Sequence, residues 1–188
     1  METSKLKVKR AHSSLLMFGI FSIVMLFAGL TSAYIVSKGS LGSSWDVIKL
    51  PTVFLISTLL IFGSSFFAWL AIKECIKDNM IVFKKWLVLT IFFGVSFGVC
   101  QFFGWSQLVS EGKYLSGNNV SASYIYLLTV THLAHVFGGI IALLFIYFRA
   151  INNRYSSNNF HPVKLAIRFW HFLALLWLYL FLFLTFLM

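Results

Sequence analysis

Three of the chain's five histidines lie inside apolar runs, where an imidazole has few things it can do. His132 and His135 belong to an uncharged stretch from Tyr124 to Phe148 that also holds Thr129 and Thr131, and His171 belongs to a second apolar stretch near the C-terminus. At a rise of ~1.5 Å per residue the first stretch crosses the ~30 Å core of a bilayer. Lipid cannot hydrogen-bond an imidazole or a hydroxyl, so these groups must face other helices or an internal cavity. Two chemistries suit them. One is axial ligation of a membrane haem, which needs a histidine from each of two facing helices. The other is hydrogen bonding that holds helices together. His132 and His135, three apart on one helix, cannot clamp a single iron from opposite faces. His171 follows Arg168 closely, near a helix end, whereas His135 lies near the middle of its own. The depths match poorly, so structural histidines are the preferred reading and a haem b-binding membrane anchor subunit is the alternative.

Other chemistry lacks its reagents. All five carboxylates, Glu2, Asp46, Glu74, Asp78 and Glu111, fall outside the apolar runs or at their margins, so no carboxylate proton relay runs through the chain. There is no HExxH, no CxxC and no acid placed to orient a His–Ser pair. Cys75 and Cys100 have no ligand spacing around them and read as core filler. The sequence holds no catalytic constellation, no cofactor site and no metal site of its own; it reads as a partner subunit.

The elements that must position these residues are five apolar runs, 15–36, 53–72, 86–108, 124–148 and 166–187. With 60% hydrophobic residues over 188 positions, the chain is an integral membrane protein. The segments between runs are too short for a folded extramembrane unit, which predicts an all-α single transmembrane domain over 1–188, a bundle of five helices. A net charge of +10 raises nucleic acid as a partner, but the distribution argues for a membrane. Twelve of the fifteen Lys and Arg, among them Lys9, Lys73, Arg149, Arg154 and Lys164, precede the first run, lie in the second and fourth connections or, for Arg168, stand just inside the start of the fifth run. The positive-inside rule then puts the N-terminus in the cytoplasm and the C-terminus outside, in the periplasm of a bacterium. The polar connection 110–123, with Gly112, Gly117 and Asn118, reads as an outer turn. Small residues mark expected close approaches of helices: Gly29 with Ser22 and Ala33, Gly94 with Gly98 in a GxxxG pair, and Gly138 and Gly139 beside the histidines. Gln101 and Trp105 continue the Gly94–Gly98 stripe. The last run has almost no small residues, so it is expected to face lipid or to fill a broad apolar seam.

The motifs together resemble subunit III of the haem-copper oxidases, the cytochrome c and quinol terminal oxidases, in their five-helix bacterial form, over nearly the whole chain. Phe27-Ala28-Gly29-Leu30 with Ala33-Tyr34 is similar to that family's F-A-G-L-x-x-A-Y, and Leu50-Pro51, Ser57-Thr58 and Ser64-Ser65 are similar to its LP…NT…SS pattern. Gln101 matches the family glutamine. The run from Thr131 through His132 and His135 to Gly138-Gly139 looks like T-G-x-H-G-x-H-V-x-G-G, and Trp170-His171-Phe172 with Trp177 looks like W-H-F-x-D-x-x-W. The resemblance implies a non-catalytic subunit of an oxygen-reducing, proton-pumping complex in the bacterial inner membrane. It implies partners in the catalytic subunit I and in subunit II, which carry haem and copper, and phospholipid bound in a cleft between helices. It leaves room for a second subunit III-like chain and a quinol-oxidising complex beside it.

Three positions depart from the family pattern. Ile23, Gly104 and Ala174 stand where the family usually has buried acids. The resemblance therefore implies a subunit kept for scaffold and lipid binding, without a role for those acids in proton supply. For Gln101, Thr131, His132, His135, Arg168, Trp170 and His171 it implies a lipid-binding or structural polar cluster. His132 and His135 are expected to hydrogen-bond across helices, with Gln101 or a lipid phosphate as partner, and Arg168 and Trp170 are expected to meet a headgroup at the cytoplasmic interface.

Overall fold

The computed structural model describes residues 2–115, 119–152, 155 and 160–187, with side chains from residue 7 onward. Arg154, Gly117 and Asn118 lie outside the described residues. Five helices form the chain: α1 (Glu2–Leu41), α2 (Val53–Ile76), α3 (Met80–Ser110), α4 (Val120–Ile151) and α5 (His161–Leu187). Each is long and apolar enough to cross a membrane, and no strand occurs among the described residues. The fold is a five-helix membrane bundle. The helices extend past the apolar runs because nothing in the flanking polar residues breaks them. Helical backbone satisfies its own hydrogen bonds on both sides of the bilayer edge.

The turns set the order. α2 and α3 form a tight antiparallel hairpin, closed by a three-residue turn in which Asp78 takes a left-handed φ of 61°. Asn119 caps α4, its side chain accepting from the Ala122 N–H at 3.2 Å. The connection from α1 to α2 is pinned to that helix start: Asn119 donates to the Asp46 carboxylate at 2.9 Å, and Ser121 donates to the Asp46 carbonyl at 2.7 Å. Beneath it Trp45 packs edge-on to Tyr34, ring centroids 5.0 Å apart. The end of α5 is tied to α1, where the Leu187 carbonyl accepts from Tyr34 at 3.3 Å and from Lys38.

α5 is the centre of the bundle and touches α1, α2 and α4. Of the two roles left open for it, the structure gives it the apolar seam: Trp170, Leu173, Ala174, Trp177, Leu180 and Leu184 are buried. Its lack of small residues has a simple cause. The small residues sit on its neighbours, which make room for its bulk. A methyl added to Gly94 of α3 would lie 2.7 Å from the Trp170 ring, and one added to Gly139 of α4 would lie 2.9 Å from Leu173 and 3.0 Å from Trp170. α1 is the opposite case. Among the described residues it packs only on α4, α5 and the turn that follows it. Phe27, Thr31 and Tyr34 form its one buried stripe.

Candidate functional site

Inside the bundle the polar side chains pair by a common rule. A hydroxyl donates to a backbone carbonyl and accepts an N–H from a second helix. Ser57 donates to the Phe54 carbonyl at 2.9 Å and accepts from the Gln101 amide at 3.0 Å. Thr58 donates to the same carbonyl at 2.7 Å and accepts from the Trp177 indole at 2.9 Å. Ser64 donates to the Thr90 carbonyl at 2.7 Å and accepts from Trp170 at 3.0 Å. Thr129 donates to the Ile125 carbonyl at 2.7 Å and accepts from Trp105 at 3.0 Å. A fifth contact joins His171 Nδ1 to Ser65 Oγ at 2.5 Å. A hydroxyl has one proton and two lone pairs, so both demands are met at once. Without a neighbouring hydroxyl to accept it, the N–H of a buried tryptophan would be left unpaired at a cost of about 1–3 kcal/mol.

The histidines do not follow the expected pattern. His132 is fully buried between the rings of Phe27, Phe97 and Trp177, at centroid distances of 6.3, 5.9 and 5.2 Å. Neither of its nitrogens has a hydrogen-bond partner. His135 is half-buried and donates from Nδ1 to the Thr131 carbonyl of its own helix at 2.7 Å, with Phe27 against its ring. Neither histidine bonds to Gln101, whose N–H goes to Ser57 while its carbonyl oxygen stays unpaired. Of His132, His135 and His171, only His171 makes a cross-helix bond.

Two further expectations change. Trp170 is not at a headgroup; it is wholly buried, held by Ser64 and seated on Gly94 and Gly139. His171 is not near a helix end either, because α5 begins at His161 and places it ~15 Å along the axis. His171 and His135 are thus both well inside their helices, and local geometry is what disfavours haem ligation. His132 is walled by three aromatic rings and His171 Nδ1 is taken by Ser65. No group of three His, Cys, Asp or Glu among the described residues could hold a metal ion.

Gly94, Gly98 and Gly139 serve close packing, Gly98 meeting Leu133. Gly29 and Gly138 do not pack against another helix of this chain; nothing lies within 4 Å of a methyl built on either. Ile23, Gly104 and Ala174 are packing positions. A methyl on Gly104 would already meet Phe54 at 2.7 Å, Ala174 is buried, and Ile23 lies against the core.

The sequence reading missed the acceptor role of Ser57, Thr58, Ser64 and Thr129. A signal was present. Trp170 and Trp177 are seven residues apart on α5, and Thr58 and Ser64 are six apart on α2, so two antiparallel helices carry donors and acceptors in matching register.

A cleft of about 580 Å³ opens between α1, α4 and α5. Gly138 and Ala142 line one wall, Leu15 and Leu16 another, and Ala166 and Phe169 a third. Its mouth is basic. His12 lines it, Ser13 bonds to His161 at 3.3 Å, and Lys9, Lys164 and Arg168 are close enough for their charges to act on His161. Arg168 itself is exposed. At the same end of the bundle Tyr155 is buried near Arg149, and burial pushes its phenol above the ordinary value while the Arg149 charge pulls it back.

The family model described as cytochrome c oxidase subunit III matches residues 3–187. Among relatives, a probable cytochrome c oxidase subunit 3 of Mycobacterium leprae is 25% identical over 162 residues, covering 85% of this chain and 80% of its own length. The cytochrome c oxidase subunit 3 of Corynebacterium diphtheriae is 26% identical over 164 residues, covering 84% and 79%. That of Thermostichus vulcanus is 31% identical over 172 residues, covering 86% and 80%.

Proposed function

The chain belongs to the cytochrome c oxidase subunit III family, a component of an oxidase complex, and from that membership we propose that it packs as a non-catalytic subunit on the catalytic subunit of a haem-copper oxidase. The match across 3–187, which takes in the whole bundle, is the observation that carries this reading. Haem and copper belong, in this reading, to the catalytic subunit I and to subunit II. The catalytic neighbour reduces oxygen and pumps protons; the present chain contributes a rigid wall. Its three absent acids fit a complex in which a second, acid-bearing subunit III-like chain sits alongside, and a quinol-oxidising complex is a further partner in this reading.

The orientation proposed is N-terminus in the cytoplasm and C-terminus in the periplasm, across a bacterial inner membrane, on the strength of the Lys and Arg distribution. The chain acts as a single unit, 1–188. Its cleft between α1, α4 and α5 suits a phospholipid: acyl chains against Gly138, Ala142 and Phe169, and a phosphate among the basic groups at the mouth. Gly138 then serves the lipid rather than a neighbouring helix, and His135 and Thr131, bonded to each other on α4, act as structural groups.

The test is purification of the complex through a tag on this chain, in mild detergent, with haem and phospholipid measured. Haem-bearing subunits should co-purify. The double substitution Lys164→Gln with Arg168→Gln should lower the bound phospholipid without releasing those subunits. Absence of haem-bearing partners would refute the packing, and unchanged phospholipid content would refute the lipid site.

A further inference from the structure

We propose that an internal water molecule joins Gln101 of α3 to His132 of α4 in the middle of the bundle. Three buried polar atoms there have no partner: the Gln101 carbonyl oxygen and both His132 nitrogens. The residues are 1% and 0% exposed. Buried polar groups are nearly always hydrogen-bonded, and groups that lack a protein partner usually share ordered water.

The neighbouring contacts place the two residues at the same level of the bundle. On α3, Phe97, Gln101 and Trp105 recur every four residues and form one stripe. Phe97 meets the His132 ring at 5.9 Å, and Trp105 donates to Thr129 at 3.0 Å. Thr129 and His132 are three apart on α4 and share its inner face. Gln101 is bracketed between these two contacts, so its free oxygen and His132 belong to the same layer. The layer is closed by Trp177, whose ring lies 5.0 Å from Phe97 and 5.2 Å from His132.

The hydrogen-bond capacities balance. A neutral imidazole offers one donor and one acceptor, and the glutamine oxygen offers acceptors only. Water donates one hydrogen to the Gln101 oxygen and the other to the unprotonated ring nitrogen of His132. The remaining ring N–H is left to the face of an adjoining aromatic ring, a weak acceptor. The amide N–H of Gln101 is already committed to Ser57, so the glutamine is held with its oxygen turned to the site. This water would explain why a histidine sits among aromatic rings without a protein partner.

The decisive experiment is a map of the assembled oxidase at a resolution that shows ordered water. Density about 2.7–3.2 Å from both the Gln101 oxygen and a His132 ring nitrogen is expected. A dry layer, or direct contact of amide and imidazole, would overturn the proposal. A second measurement uses Gln101→Leu, His132→Phe and the double variant, read by the temperature at which the subunit leaves the complex. Each single change should lower it, and the double variant should lower it by less than the sum. Strictly additive shifts would overturn the proposal too. If a single variant does not assemble, the map of the unaltered complex decides alone.

Discussion

Thr58 shows how little chemical latitude a buried hydroxyl has in this bundle. It satisfies the Phe54 carbonyl and receives the Trp177 indole, so Thr58→Val keeps the volume and leaves a buried N–H with no acceptor. That should destabilise the subunit by about 1–3 kcal/mol, read as a lower midpoint of thermal dissociation; an unchanged midpoint would show that the bond contributes nothing. Gly94→Ala should cost about 1–3 kcal/mol by overpacking. The new methyl would lie 2.7 Å from a Trp170 ring that its bond to Ser64 prevents from swinging aside. Gly29→Ala meets nothing in the chain and removes a glycine penalty of about 1 kcal/mol in a helix. It should leave the folded subunit intact and weaken only its retention in the complex, if that face of α1 is where a partner docks. At this scale the sequence was half legible. Gly94 and Gly98 announced close approach by their spacing, and Gly29 and Gly138 made the same announcement without the approach. A small residue says that something could come near, and the facing helix decides whether it does.

Among the elements, α5 and α1 are opposites. The number and approximate extent of the helices could be read from the apolar runs, because a bilayer accepts only backbone that satisfies itself. Which helix lies at the centre could not. The lack of small residues in α5 left open whether it faces lipid or fills a seam, because the cavities that receive Trp170 and Leu173 are cut by glycines on α3 and α4. Centrality is a property of pairs of sequences and leaves little trace in either one. α1, seated on α4 and α5 by a single stripe, should be the least protected element in the isolated chain. Hydrogen exchange in detergent should therefore proceed faster along α1 between Leu15 and Gly29 than in the core of α5 between Leu173 and Leu180. Equal protection would mean that α1 is held by contacts beyond that stripe. In the complex its protection should rise if a partner covers its outer face.

For the whole molecule, the chemistry that is absent says as much as the chemistry that is present. Ile23, Gly104 and Ala174 are apolar packing positions, and the Gly104 site has no space for an acid unless Phe54 moves. Intramembrane polarity is spent on joining helices: serines and threonines take the N–H groups of three tryptophans and a glutamine. This role was partly legible, since the motif order on the last two helices named the family before any geometry was known. The basic cleft was not, because His12, His161 and Lys164 come together only when α1 meets α5. The measurement that tests the account most directly is the absorption spectrum of the complex purified through this chain, taken before and after the chain is separated from its partners. The account predicts haem bands in the complex that stay with the partner subunits, leaving the separated chain colourless. Stoichiometric haem remaining on this chain, and lost on substitution of His132 or His171, would contradict it.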